Sequence, residues 1–126
     1  MKRITVLLLC VMLALITYGQ SGKAETKDIQ PKDVYALVEV FDNGNKITAS
    51  IDFGDGTPIM TFANEKEKMR VFESGFEPIN LFIKNGWIIE KFSTLLRGAY
   101  TITFWVMKKK VNGESEVKEG MKLIKE

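Results

Sequence analysis

Apolar and polar residues alternate with a period of two over much of the chain after residue 33. This period is typical of β-strands, whose successive side chains point to opposite faces of a sheet. The stretches 34–41 and 47–53 alternate in this way, and the sequence between them, Asp-Asn-Gly-Asn at 42–45, favours a tight hairpin turn. We therefore predict a β-hairpin with one buried face. Its predicted inward residues are Val34, Ala36, Val38, Val40, Ile47, Ala49, Ile51 and Phe53.

Four further apolar stretches are predicted as strands, at 59–62, 69–72, 87–95 and 100–108. The last of these has the clearest alternation. Its predicted inward residues are Tyr100, Ile102, Phe104 and Val106, and its predicted outward residues are Thr101, Thr103, Trp105 and Met107.

A single helix is predicted in the middle of the chain. Ser74 and Glu77 have the spacing of a capping box, in which each side chain satisfies a free backbone N–H at the helix start. Pro78 falls in the first turn, where its missing N–H removes no helical hydrogen bond. Asn85 and Gly86 favour a helix end, because glycine readily adopts the left-handed conformation found there. The predicted buried stripe has helical spacing and consists of Phe76, Ile79, Phe82 and Ile83.

The arrangement of these elements predicts the fold class. Strands that do not alternate with helices favour an antiparallel sheet. With the single helix they predict an α+β fold, in which an antiparallel β-sheet of about four to six strands carries one main helix packed on one face. Trp87, which directly follows the helix, is predicted to belong to the core.

The N-terminal segment has a different character. Two basic residues precede an almost unbroken apolar run at 4–16, which is typical of a secretory signal peptide and is shorter than the roughly 20 residues that span a bilayer. We predict a signal peptide at 1–19, a flexible polar lead-in at 20–33 and a single domain at 34–126. The protein is therefore expected to be exported, to the periplasm, the cell surface or the extracellular space.

Charge and composition exclude several classes of function. The chain has 18 basic and 16 acidic residues, and removal of the predicted signal peptide takes away Lys2 and Arg3, which leaves 16 of each. A neutral chain lacks the basic excess that attracts nucleic acid, so no nucleic-acid partner is expected. There is no histidine, and Cys10, the single cysteine, lies in the predicted signal peptide. The mature chain thus lacks the commonest general base, nucleophile and metal ligands, and no cofactor is expected.

The outward face of the predicted sheet is the main functional candidate. A solvent-exposed sheet face is not normally rich in large apolar side chains. Three explanations remain open: cover by the C-terminal tail or a second layer, a homodimer interface, or an aromatic platform for a glycan or peptide that stacks on Trp105 and Tyr35. The residues predicted to share this ligand or partner face are Tyr35, Leu37, Phe41, Trp105 and Met107.

Carboxylates form two weaker candidate sites. Asp52 and Asp55 flank a glycine turn and are candidates for a Ca²⁺ site, because that ion accepts ligand sets made of oxygen atoms alone. The simpler interpretation makes Asp55 a turn residue and Asp52 a solvated strand position. Glu39 and Asp52, on neighbouring predicted strands, form the kind of pair that a carboxylate-dependent hydrolase uses. Such pairs are common on sheets of this composition.

Four features occur together in this chain: the predicted signal peptide, the strand Lys46–Gly54, a capped helix that runs into Asn85–Glu90, and a last strand that ends in lysines. In this combination the chain resembles a group of small exported proteins of Bacteroidetes that have no known activity. The junction of helix and Gly86–Trp87 also resembles the helix–Gly-Trp–strand core of a small domain of unknown function. These resemblances imply export and an α+β fold. A competing resemblance, of Ile51–Thr57 and Gly98–Thr103 to polycystic-kidney-disease-type modules, implies an all-β sandwich.

Together these features favour an exported, non-catalytic binding or interaction module whose partner is a protein, a peptide or a glycan. One alternative is a small carboxylate-dependent hydrolase that uses Asp52 and Glu39. Another is a structural partner subunit of a cell-envelope assembly.

Overall fold

The computed structural model describes residues 30–126. The predicted signal peptide at 1–19 and most of the predicted lead-in at 20–33 lie outside the described residues. Residues Pro31–Glu126 form one compact unit. Its elements in chain order are β1 (Lys32–Asp42), β2 (Ile47–Asp52), β3 (Met60–Phe62), α1 (Glu77–Lys84), β4 (Ile88–Arg97), β5 (Tyr100–Val111), a 3-10 turn (Glu114–Glu116) and β6 (Leu123–Lys125).

The six strands form one antiparallel sheet with the order β4-β5-β1-β2-β3-β6. The long strands β1 and β5 lie near its centre and pair along their length, from Lys32 opposite Val111 to Asp42 opposite Thr101. The hairpin of β1 and β2 turns at Gly44, which has a φ of 85°. The predicted α+β fold is therefore confirmed, and the all-β sandwich implied by the competing resemblance is not the fold of this chain.

Helix α1 packs on one face of the sheet and completes the core. Ile79 and Phe82 are buried, whereas Ile83, predicted to share their stripe, is exposed. The ring of Phe82 makes edge-to-face contacts with Phe62 of β3 and with Trp87. Trp87 is 1% exposed, which confirms its predicted core position. The buried sheet residues on the helix side include Ala36, Val38, Val40, Ala49, Ile51, Trp105 and Met107.

The start of the helix differs from the predicted capping box. Helix α1 begins at Glu77, and its N-cap residue, Phe76, makes no side-chain capping bond. The Ser74 hydroxyl instead accepts a hydrogen bond from the N–H of Phe76 at 3.2 Å. The Glu77 carboxylate lies 3.8 Å from the Arg70 guanidinium. The capping-box prediction is wrong because the helix begins at Glu77, so Ser74 is not its N-cap residue and Glu77 is not its third residue. The predicted end is confirmed by Gly86, which has a φ of 91°.

The predicted sidedness of β5 is wrong. In the pairing of β1 with β5, Val38 lies opposite Trp105 and Ala36 opposite Met107, and directly opposed residues share one face of a sheet. Trp105 and Met107 therefore face the helix, where they are 7% and 0% exposed. Alternation alone could not decide the orientation of β5, because both of its faces carry large apolar side chains. The residues of β5 that lie on the face away from the helix include Ile102, Phe104 and Val106.

The stretch 69–72 does not form the predicted strand. It contributes two isolated bridges, one between Met69 and Ala63 and one between Phe72 and Ile47. The chain between β3 and α1 therefore follows the sheet without extending it. The C-terminal residues, by contrast, add β6 next to β3.

Candidate interaction surface

The sheet face that points away from α1, called the open face below, is mainly apolar at its centre, where Glu39, opposite Phe104, is the charged residue between Leu37 and Phe41. The pairing of β1 and β5 places Phe41 opposite Ile102 and Leu37 opposite Val106 on this face. The ring of Phe41 also lies 5.2 Å from the ring of Tyr100. An antiparallel sheet with one buried face normally presents polar residues on the other, so this composition indicates a contact surface. The apolar residues of the open face are Tyr35, Leu37, Phe41, Leu95, Tyr100, Ile102, Phe104 and Val106.

Three of the five residues predicted for the interaction face lie on the open face. Tyr35 and Leu37 are exposed there, and Phe41 is half-buried. Trp105 and Met107 lie on the helix side, so the predicted aromatic platform of Tyr35 and Trp105 is not formed. Strand β5 instead contributes to the open face the side chains that were predicted to point inward.

The C-terminal tail does not cover the open face. Strand β6 pairs with β3 at the edge of the sheet farthest from β4, and Val117 and Met121 pack against the core on the helix side. Leu37 stays 39% exposed. Within residues 30–126, cover by the tail is therefore excluded as the explanation of the apolar face.

Charged residues border the apolar centre. At one end of β1 and β5, Lys108 Nζ lies 3.6 Å from Asp33 Oδ2. The Asp33 carboxylate, followed by Tyr35 and Glu90, raises the pKa of Lys108, so this end keeps a positive charge beside an exposed phenol. Arg97 occupies the other end, in the last pair of β4 and β5. An apolar centre with a polar rim is the usual anatomy of a protein–protein interface.

The carboxylates predicted for hydrolysis also lie on the open face. Glu39 pairs opposite Ser50, and Asp52 pairs opposite Leu37, so the two carboxylates are diagonal neighbours on adjacent strands. Asp52 Oδ1 accepts a hydrogen bond from the Gly54 N–H at 2.8 Å. The surface around them is a sheet face rather than the concave kind of site that holds most small ligands. This geometry favours a solvated strand end over an acid–base pair.

Asp55, the second candidate calcium ligand, is engaged in its own turn. Its carboxylate accepts hydrogen bonds from the hydroxyl of Thr57 and from the Thr57 N–H, the latter at 3.1 Å, and it lies 3.9 Å from Lys118. The Thr57 side chain is the main cause that holds the pKa of Asp55 below its usual value. No group of three or more acidic, histidine or cysteine side chains comes together within residues 30–126. The geometry supports the simpler interpretation, in which Asp55 is a turn residue and Asp52 is a solvated strand position.

Strand β4 carries a second apolar surface that the sequence interpretation missed. All ten of its residues are exposed, and it is an edge strand. On the helix side, the Phe92 ring stacks on Trp105 at 5.1 Å, and Phe76 meets the same indole edge-on at 6.2 Å. Phe76 is exposed, so it does not belong to the buried stripe predicted for the helix. Leu96, on the same side of β4 as Phe92, is 75% exposed. The sequence signal for this surface was the presence of apolar residues on both faces of β4.

Comparison with known proteins assigns no family. No protein-family model, curated protein or solved structure matches the chain. In the part of the chain that the structure describes, no helix is long and apolar enough to cross a membrane. The open face and the edge at β4 are therefore the structural features from which a function can be inferred.

Proposed function

We propose that the protein is an exported, non-catalytic interaction module that binds a protein partner through the open face. The observation that carries the proposal is the apolar centre of that face, from Leu37 and Phe41 on β1 to Ile102 and Val106 on β5. Apolar patches rimmed by polar residues mark protein–protein contact sites on soluble domains. The predicted signal peptide supports a site of action outside the cytoplasm.

A protein surface fits the open face better than a glycan or an extended peptide. Strands β1 and β5 have neighbours on both sides, so their backbones offer no free edge for a peptide strand. The apolar centre of the face consists of Leu37, Ile102 and Val106 together with Phe41 and Phe104. Trp105, the residue on which sugar stacking was predicted, is buried on the other side of the sheet. A broad contact with an apolar centre is therefore the recognition mode that this face favours.

Two alternatives predict different results. A structural subunit of a cell-envelope assembly would use the same face in a permanent complex of fixed stoichiometry. A carboxylate-dependent hydrolase would show turnover that Glu39→Gln or Asp52→Asn abolishes while the fold is retained.

Site-specific photo-crosslinking tests the proposal. A photo-reactive amino acid is placed at Leu37 on the open face or, as a control, at Val71, which is exposed outside the sheet strands. Cells that export each variant are irradiated, and the products are identified by mass spectrometry. We expect a discrete product with another protein from position 37 that is absent from position 71 and is lost when Val106→Lys is added. Identical products from both positions, or none from position 37, would contradict the proposal.

A further inference from the structure

The outer edge of the sheet at β4 is long and open. Strand β4 pairs with β5 alone, so the backbone N–H and C=O groups on its other side have no strand partner within residues 30–126. All ten of its residues are exposed. An edge strand of this kind is a template for pairing with a strand of another chain.

Strand β4 has few of the features that normally protect a sheet edge. It contains no proline, and its one β-bulge lies at its start, whereas from Lys91 to Arg97 its register with β5 is regular. On the open face of this regular part, Leu95 lies between the charged residues Lys91 and Arg97, whereas Phe92 and Leu96 face the helix side. The helix side of the edge is therefore apolar, which natural edge strands in contact with water avoid.

We infer that β4 pairs antiparallel with β4 of a second copy of this chain, about a twofold axis perpendicular to the sheet, so that two six-stranded sheets become continuous. A strand that pairs antiparallel with itself is self-complementary, as a twofold dimer requires. The axis keeps the two open faces on one side and the two helices on the other. On the helix side, apolar side chains then meet apolar side chains across the junction. The inference does not depend on the proposed function, although the two surfaces share Leu95 and Tyr100.

The apolar surface around β4 is close to the size that a stable dimer needs. If the aliphatic side chains are counted at the lower end of the roughly 150–250 Å² that an aromatic one presents, complete cover of the residues at this edge would bury roughly 600–750 Å² in each copy. Stable interfaces bury roughly 800 Å² on each partner. A second copy supplies matching apolar side chains on the helix side, which a single peptide strand does not. The residues counted are Phe76, Ile88, Ile89, Phe92, Leu95, Leu96 and Tyr100.

The register that brings most apolar side chains together is centred on Thr94. On the helix side it places Phe92 opposite Leu96 of the second copy, beside the stack on Trp105. At both ends it places Lys91 opposite Arg97 of the second copy. These like charges repel, so the dimer is expected to tighten as salt screens them.

An introduced cysteine tests this register directly. The chain from Gln20 has no cysteine, since the single one is Cys10, and the compact unit that begins at Pro31 lies wholly within it. In the inferred dimer, Thr94 faces Thr94 of the second copy with Cα atoms about 4.5–5.5 Å apart, within the range found in disulfides. We expect Thr94→Cys to form a disulfide-linked dimer under mild oxidation much faster than Val71→Cys. Equal rates for the two variants would overturn the inference.

Sedimentation equilibrium provides the second test. The wild-type chain from Gln20 is expected to dimerise reversibly, and Leu96→Lys is expected to weaken dimerisation by about tenfold or more. Leu96 is largely exposed, so a charge there leaves the monomer fold intact, as circular dichroism will show. Leu37→Lys, on the open face, and Val71→Lys are the controls and are expected to leave dimerisation unchanged. A wild type that is monomeric at about 1 mM would overturn the inference, and so would a dimer that is lost in Leu37→Lys but kept in Leu96→Lys. Neither result changes the expected outcome of the crosslinking test of the open face.

Discussion

Alanine substitutions at Met107 and Leu37 measure which face of the sheet is buried. Met107 is fully buried on the helix side, and truncation of a buried methionine to alanine costs about 2–5 kcal/mol, because apolar contacts are lost and a cavity is left. Leu37 lies on the open face and is 39% exposed. Since full burial of a leucine contributes about 1.5–3 kcal/mol, and its truncation here leaves no closed cavity, Leu37→Ala is expected to cost about 1 kcal/mol.

Urea and thermal unfolding followed by tryptophan fluorescence provide the assay, because Trp87 and Trp105 are both buried in the native state. In a domain of this size, 1 kcal/mol shifts Tm by about 4–8 °C. Met107→Ala is therefore expected to lower Tm by about 10 °C or more, and Leu37→Ala by about 5 °C. Equal losses would mean that a further layer covers the open face. A larger loss for Leu37→Ala would mean that the assignment of the two faces is reversed, and either result would refute the reasoning.

Three further predictions concern turns and charge. Hydrogen bonds from Thr57 lower the pKa of Asp55 below its usual 3.8, so the stabilisation they give is present above that pH and is lost as the pH falls through the lowered pKa. NMR titration should show the pKa of Asp55 rising in Thr57→Val, and an unchanged value would contradict the role of the hydroxyl. Gly86→Ala should cost about 1–2 kcal/mol in urea unfolding because φ at this position is 91°, whereas Gly113→Ala, at φ −162°, should cost clearly less. The β4 dimer should tighten between about 0.05 and 0.5 M NaCl, and weaker association at high salt would exclude the register centred on Thr94.

Much of the fold could be predicted because its signals are local. The alternation in β1 and β2 determines one buried face, and the structure pairs Val38 with Ile51 on it as expected. The Asn-Gly turn and the glycine that ends the helix require positive φ angles, which Gly44 and Gly86 adopt. Trp87 directly follows the helix end and is buried in the core, as predicted. In each case the physical cause lies within a few residues of the feature.

The parts that were wrong depend on contacts distant in sequence. Strand β5 carries apolar residues on both faces, so only its pairing with β1 decides that Trp105 faces the helix. The capping-box spacing of Ser74 and Glu77 is local, but the packing of the chain places the first helical residue at Glu77 itself. The exposure of β4 depends on its place at the sheet edge, which no pattern within the strand encodes. The open face could therefore be predicted as apolar, but only three of its eight apolar residues could be named.

The binding affinity of the partner cross-linked from position 37 tests the central claim most directly. Calorimetry would compare the wild type with Val106→Lys on the apolar centre and with the double variant Glu39→Gln, Asp52→Asn on the same face. If the apolar centre is the contact, Val106→Lys weakens binding by about tenfold or more, while the double carboxylate variant changes it by about twofold or less. Unchanged binding in Val106→Lys together with its loss in the carboxylate variant would contradict the account and favour a site built on the carboxylates.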